Sequence, residues 1–101
     1  MEQQRQVSSF IEANEMEAPP AYRLLDLVSE LGEVAKDPPE STAYGDSPED
    51  IEICSDEIGD VLFSLVALAD SVDIDAADAL EEALAKYDKR IIEDDSAASN
   101  N

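Results

Sequence analysis

Apolar residues recur at helical spacing in the first half of the chain. Residues 2–17 show this spacing weakly, through Val7, Phe10 and Ile11. The prolines of the segment 18–21 end that first predicted helix. Residues 21–36 predict a clearly amphipathic second helix, whose apolar stripe is Leu24, Leu27, Val28, Leu31, Val34 and Ala35. Residues 36–47 contain two prolines, one glycine and no periodic pattern, which predicts a loop.

A third helix is predicted from residue 47 to about residue 72. Ser47 suits the N-cap, Pro48 the first helical position, and the two acids that follow suit the positive end of the helix dipole. Its main apolar stripe is Ile58, Val61, Leu62, Leu65, Leu68, Ala69 and Val72, and Phe63 and Val66 widen it. A helix apolar on nearly all sides is typically buried. Cys54 then becomes a small apolar filler inside this helix.

A fourth helix is predicted to begin after Asp75, with Asp78 three residues on as a variant of the capping box. Its apolar stripe is Leu80, Leu84, Tyr87 and Ile91. The pattern contains no strand or internal repeat. We therefore expect an all-α four-helix bundle, one domain over residues 1–93 with a polar tail over 94–101. The apolar faces are wide for so short a chain, which predicts a homo-oligomer that completes the core.

Charge dominates the composition. The 101 residues include 26 acids, six basic residues and no histidine, giving a net charge of −20. Such a surface repels nucleic-acid backbones and anionic membranes, so neither is an expected partner. Acid spread along the whole chain favours a salt-rich cytoplasm, because salt screens the repulsion. One cysteine excludes an internal disulfide, and no signal peptide or membrane-spanning run is visible, which predicts a cytoplasmic protein.

Two pairs of acids have the spacing of helix neighbours. Glu30 and Glu33 share one face, and Glu57 and Asp60 share another. In so acidic a chain such pairs can be ordinary solvated positions, especially Glu30 and Glu33. The second pair, however, begins a row continued by small residues, Ser64, Ala67 and Ser71, which leaves room for a helix neighbour or a ligand. Carboxylates beside buried surface need a partner, and an all-oxygen site suits Mg²⁺, Mn²⁺ or Ca²⁺.

Basic residues cluster only at 86–90, where Lys86 and Arg90 stand four apart. They could offset neighbouring acids such as Glu82 and Asp88. They could equally grip the phosphates of a substrate, because a guanidinium binds two phosphate oxygens at once.

The order Glu30-x-x-Glu33, a spacer of 23 residues, then Glu57-x-x-Asp60 resembles the MazG-like all-α nucleoside triphosphate pyrophosphohydrolases. LLDLVSELGEVAKD resembles the first motif helix of that family, DEIGDVLFSLVALADSVDID the second, and ALAKYDKRI the closing helix. The resemblance implies a four-helix MazG-like bundle assembled as a dimer or tetramer. It also implies hydrolysis of nucleoside triphosphates between the α- and β-phosphates, giving a monophosphate and pyrophosphate.

The same resemblance implies a role for each motif residue. Glu30, Glu33, Glu57 and Asp60 would bind Mg²⁺, with Mn²⁺ as an alternative ion. Glu30 or Glu33 would orient or deprotonate the attacking water, and Lys86 and Arg90 would meet the phosphates.

The chain departs from the family pattern in two ways. Ser29 stands where many members have a further glutamate, and there is no tryptophan, which some members use near the base. The preferred base and sugar stay open. Two alternatives also remain: a pyrophosphohydrolase of another substrate such as phosphoribosyl-ATP, and a helical interaction module without catalysis.

Overall fold

Four α-helices form the part of the chain that the computed structural model describes, residues 2–36 and 45–99. They are α1 (Glu2–Ala13), α2 (Pro20–Lys36), α3 (Ser55–Ser71) and α4 (Ala76–Ser99), with a single 3-10 turn at Pro48–Asp50. Those two ranges contain no strand. The predicted all-α, four-helix class is confirmed. The predicted loop falls mostly on residues 37–44, outside the described ranges.

Helix α1 is shorter than the sequence pattern predicted, because it ends at Ala13 rather than near residue 17. Its end is closed by backbone hydrogen bonds from Met16 N to Ile11 O (2.9 Å) and from Glu15 N to Glu12 O (3.2 Å). Glu15 adopts a left-handed φ of 52° there. This is the Schellman arrangement, which satisfies the last carbonyls of a helix and turns the chain away from its axis. Pro20 then occupies the first position of α2.

The predicted start of the third helix is wrong. Pro48–Asp50 makes only one 3-10 turn, the Ser47 side chain forms no capping hydrogen bond, and α3 begins at Ser55. Two β-branched residues, Ile51 and Ile53, lie in the non-helical segment between them and favour extended backbone. Cys54 is the N-cap of α3, with φ −86° and ψ 145°, and it is exposed, so its predicted role as a buried filler is also wrong.

Helix α3 is the centre of the fold. It packs most extensively against α2, next against α1 and least against α4. Its buried side chains are Ser64, Val66 and Ala67, with Ser64 only 7% exposed and Ala67 1%. The row of small residues is therefore the face that meets neighbouring helices, because small side chains let two backbones approach closely.

The main apolar stripe of α3 is not buried within one chain. Ile58 is 53% exposed, Leu62 46% and Leu65 47%. Together with residues of α2 they line an open apolar groove of about 290 Å³, formed by Leu31, Val34, Ile58, Val61, Leu62 and Leu65. The predicted burial of α3 on nearly all sides is thus wrong for the single chain, since none of the described helices covers this face.

Helix α4 extends away from the rest of the fold. Each of its side chains from Leu84 to Asp95 is exposed, and the helix continues into the polar tail as far as Ser99. The radius of gyration is 18.0 Å, whereas a compact domain of this length has about 13 Å. The described helices thus leave many apolar side chains exposed.

The turn between α3 and α4 is tightly defined. Ile74 N donates to Ala69 O (2.9 Å) and Asp73 N to Asp70 O (3.2 Å), with Asp73 at a left-handed φ of 58°. Asp75 Oδ1 accepts a 3.0 Å hydrogen bond from Asp78 N, so the predicted N-cap of the fourth helix is confirmed. The Asp78 N–H is the first cause of a lowered pKa at Asp75, because the bond favours the ionised carboxylate.

Candidate active site

The two acid pairs lie on the two helices that pack most closely. Glu30 and Glu33 belong to α2, and Glu57 and Asp60 belong to α3. Glu30 and Glu57 are half-buried, whereas Glu33 and Asp60 are exposed. The Oε2 atom of Glu57 is enclosed by the protein. The fold therefore brings the two motif helices together and buries part of one carboxylate.

The small-residue face of α3 explains how Glu57 and Asp60 are aimed. Both acids continue the row that includes Ser64 and Ala67, the two buried small residues of this helix. Packing of that row fixes the rotation of α3, which leaves Glu57 half-buried and Asp60 exposed. Glu57 is also in the first turn of α3, where the positive end of the helix dipole stabilises a carboxylate.

The donor set suits a hard divalent cation, since the four acids offer only carboxylate oxygens and Mg²⁺ prefers oxygen ligands. Within residues 2–36 and 45–99, however, no three Asp, Glu, Cys or His side chains already form a group that could hold a metal ion. Four carboxylates repel one another when no cation lies between them. The placement of the four acids on two packed helices and their carboxylate oxygens fit Mg²⁺, but the described side chains do not converge on one point.

Lys86 and Arg90 lie on the exposed part of α4, and both are close to the same aromatic ring. The Lys86 Nζ atom is 5.1 Å from the Tyr87 ring centroid and the Arg90 Cζ atom is 5.9 Å from it. Lys89, on the same helix, instead pairs with Glu93 at 4.0 Å. A cation over an aromatic face is attracted by the ring quadrupole, by about 0.5–1 kcal/mol at an exposed site. Both residues are thus accessible, but α4 packs too little against α3 to bring them to the acids of their own chain.

Two buried polar residues were not found from the sequence. Arg23 is 6% exposed, and its guanidinium donates a hydrogen bond to the Met16 carbonyl. Gln4 is 9% exposed and bonds to the turn between α3 and α4. Arg23 stands in a helix with a strong apolar stripe and Gln4 in a polar run, so neither has a signal in the periodicity.

Ser29, which takes the place of the further glutamate, is exposed on α2 beside Glu30. Among the described helices, none combines the length and apolar character needed to cross a lipid bilayer.

Comparison with known proteins identifies the class. The model of the MazG nucleotide pyrophosphohydrolase domain matches residues 20–92, which include both acid pairs and the Lys86–Arg90 segment. The chain belongs to this family of nucleotide pyrophosphohydrolases, and the predicted family membership is confirmed.

A relative and its structure support the same assignment. The uncharacterized protein YpjD of Bacillus subtilis (strain 168) is 39% identical over 75 residues, which is 70% of this chain and 66%, just under two thirds, of YpjD. The crystal structure of B. subtilis YpjD, described as a candidate pyrophosphatase, superposes with a TM-score of 0.69 at 34% identity. That superposition covers 86% of this chain and 90% of the YpjD chain.

Proposed function

We propose that the protein is a Mg²⁺-dependent hydrolase that cleaves nucleoside triphosphates between the α- and β-phosphates, releasing a nucleoside monophosphate and pyrophosphate. One observation carries the proposal: two packed helices of a MazG-family fold present Glu30-x-x-Glu33 and Glu57-x-x-Asp60, with one Glu57 oxygen enclosed. A nucleotide is the substrate class of the family, and the four acids supply the oxygen donors that a triphosphate–Mg²⁺ complex requires.

Each acid has a proposed task. Glu30, Glu33, Glu57 and Asp60 hold Mg²⁺, or Mn²⁺ in its place. Bound Mg²⁺ supplies positive charge that offsets the charge of the phosphates. Glu30 or Glu33 accepts a proton from the attacking water, whose oxygen bonds to phosphorus as the bond to the bridging oxygen breaks. Glu33 is exposed and so is accessible to solvent for this proton transfer, whereas Glu57 is better placed as a fixed ligand.

Lys86 and Arg90 bind the phosphates in the proposed complex. If α4 folded back antiparallel along α3, these two residues would lie level with the acids of α3. Counted from the turn, Lys86 is ten residues after Ala76 and Asp60 is eleven residues before Ser71. Within one chain α4 does not pack along α3 in this way. A second copy can provide the missing contact if its α4 packs along the open apolar face of α3.

A homodimer or tetramer is therefore part of the proposal. The groove between α2 and α3 and the outer face of α4 are both apolar and exposed. Burial of apolar area gains about 25 cal/mol per Å², which favours covering these faces with one another. The chain carries a net charge of −20, so assembly and activity are expected at high salt, in a salt-rich cytoplasm.

The reaction is tested by incubating the protein in concentrated KCl with Mg²⁺ and a panel of ribo- and deoxyribonucleoside triphosphates. Phosphorus NMR identifies the products. Monophosphate and pyrophosphate support the proposal, whereas diphosphate and free phosphate contradict the α–β cleavage. Phosphoribosyl-ATP is tested in parallel, and turnover of this compound alone would assign it as the substrate.

A matched pair of variants tests the site. Glu57→Gln keeps the shape of the side chain and removes its charge, and turnover is expected to fall at least about 100-fold. Asp56→Asn makes the same change at an exposed neighbour and leaves turnover within about twofold. Wild-type turnover that survives Glu57→Gln rules out the proposed metal site, and a wild type without turnover favours an interaction module.

A further inference from the structure

The side chain of Gln4 joins α1 to the end of the turn between α3 and α4 and to the start of α4. Its Nε2 atom donates to Ile74 O at 2.8 Å, and its Oε1 atom accepts from Ala76 N at 2.7 Å. Both bonds span about 70 residues of sequence, and the side chain is only 9% exposed. One amide group thus holds the last residues of the turn and the first residue of α4.

These bonds matter because α4 packs little against the other described helices. Of the three helices that pack against α3, α4 packs least, and each of its described side chains beyond Leu84 is exposed. Within one chain, contacts near the turn, where Leu65, Leu68, Ile74, Ala76 and Leu80 surround a cavity, also restrain its direction. Within one chain, two hydrogen bonds at the base of a long helix that extends from the fold have a large effect on where its other end lies.

The length of α4 gives the size of that effect. Arg90 is fourteen residues beyond Ala76, or about 21 Å along the axis at about 1.5 Å per residue. A change of about 15° in helix direction at the turn moves Arg90 by about 5 Å. That displacement exceeds the range over which a guanidinium can keep a bidentate hydrogen bond to phosphate.

We propose that Gln4 is a positioning residue, which fixes the direction of α4 and thereby places Lys86 and Arg90 for binding the phosphates. Glutamine meets the requirement because it donates and accepts through one rigid amide. Methionine has a similar length and is apolar, so it fills the same space without either hydrogen bond. The kinetic part of this inference rests on the proposed function, whereas the direction of α4 does not.

The direction of α4 is measured through spin labels on Cys54, the single native cysteine, which is exposed, and on a second cysteine introduced by Asp88→Cys. Doubly labelled protein is diluted with unlabelled protein so that pulsed dipolar EPR reports distances within one chain. We expect one narrow distance distribution in the labelled protein that retains Gln4, and a distribution at least about twice as broad in Gln4→Met. Gln6→Met, the same substitution at an exposed site on α1, should leave it narrow.

Two further variants and the kinetics complete the test. Gln4→Glu can still accept from Ala76 N–H but cannot donate to the Ile74 carbonyl when ionised, so intermediate broadening is expected. The KM for the nucleotide should rise about tenfold in Gln4→Met with kcat little changed, and stay within about twofold in Gln6→Met. An unchanged distance distribution in a folded Gln4→Met protein overturns the proposal even if the wild type hydrolyses no nucleotide. Equal rises in KM in the two methionine variants also overturn it.

Discussion

Phe10 of α1 meets Phe63 of α3 edge to face, with ring centroids 6.0 Å apart and ring planes at 89°. Aromatic pairs in this geometry contribute about 0.5–1.5 kcal/mol beyond the area that they bury. A double-mutant cycle of Phe10→Leu and Phe63→Leu should therefore give a coupling of about 1 kcal/mol in the free energy of unfolding. The measurement is urea denaturation at constant high salt. Tyr22→Leu combined with Phe63→Leu is the control, and additive effects in both cycles would mean that the ring pair adds nothing.

The left-handed backbone of Asp73 is expected to lower the stability of the fold, and a glycine at this position should restore part of it. A non-glycine residue at φ 58° is disfavoured by about 1–2 kcal/mol in the folded state. Glycine removes this cost, but it also makes the unfolded chain more flexible, which cancels part of the gain. Asp73→Gly should raise the free energy of unfolding by about 0.5–1 kcal/mol. Asp70→Gly, three residues earlier within α3, should lower it by about 1 kcal/mol. Chemical denaturation compares the two, and destabilisation by both would contradict the account of the turn.

The cap of α4 predicts a pH dependence. Hydrogen bonding from Asp78 N–H lowers the pKa of Asp75 below 3.8 in the folded protein. A lowered folded-state pKa means that the ionised cap stabilises the fold above the unfolded pKa, and that this contribution is lost as the pH falls through the folded pKa. As the pH is lowered from about 5 to about 2, the melting temperature of the wild type should therefore decrease relative to that of Asp75→Asn. Circular dichroism melts measure this difference, and a difference that is constant over that range argues against the assigned cause.

Two lysines of α4 allow a direct contact with phosphate to be distinguished from a general effect of positive charge. Lys86→Ala should raise the KM for the nucleotide about tenfold while the affinity for Mg²⁺ stays nearly constant. Lys89→Ala removes the same charge from the same helix, at a residue paired with Glu93, and should change KM by less than about twofold. Initial rates and calorimetric Mg²⁺ titrations give the two quantities. Equal loss of nucleotide and Mg²⁺ binding in Lys86→Ala would show that Lys86 supports the fold instead.

Salt should stabilise the fold. With a net charge of −20, folding brings like charges together, and the screening length falls from about 10 Å at about 0.1 M to about 3 Å at about 1 M. Raising KCl from about 0.1 M to about 2 M should increase the melting temperature by several degrees, about 5 °C or more. Chloride is used because sulfate stabilises proteins by exclusion whatever their charge. A melting temperature that is flat or falls with KCl would contradict the salt-adapted interpretation.

The sequence predicted the four helices because their apolar residues repeat at helical spacing and their ends carry capping signals, as at Asp75. It failed at Ser47–Asp50, where a good capping sequence led to a single turn, since Ile51 and Ile53 favour extended backbone. It placed both acid pairs on helices that do pack together. It could not show which side of α3 is buried, because periodicity marks an apolar face but not its partner. Gln4 was invisible for a related reason: its two bonds reach residues that are remote in sequence.

The exposed apolar groove between α2 and α3 has a consequence for handling the protein. On the proposed assembly, part of the free energy of folding comes from contact between copies, so it depends on concentration by mass action. Dilution alone should then lower the melting temperature, and a tenfold dilution should cost a dimer about 1.4 kcal/mol. On that assembly, a stability quoted for this chain has meaning only together with the protomer concentration at which it was measured.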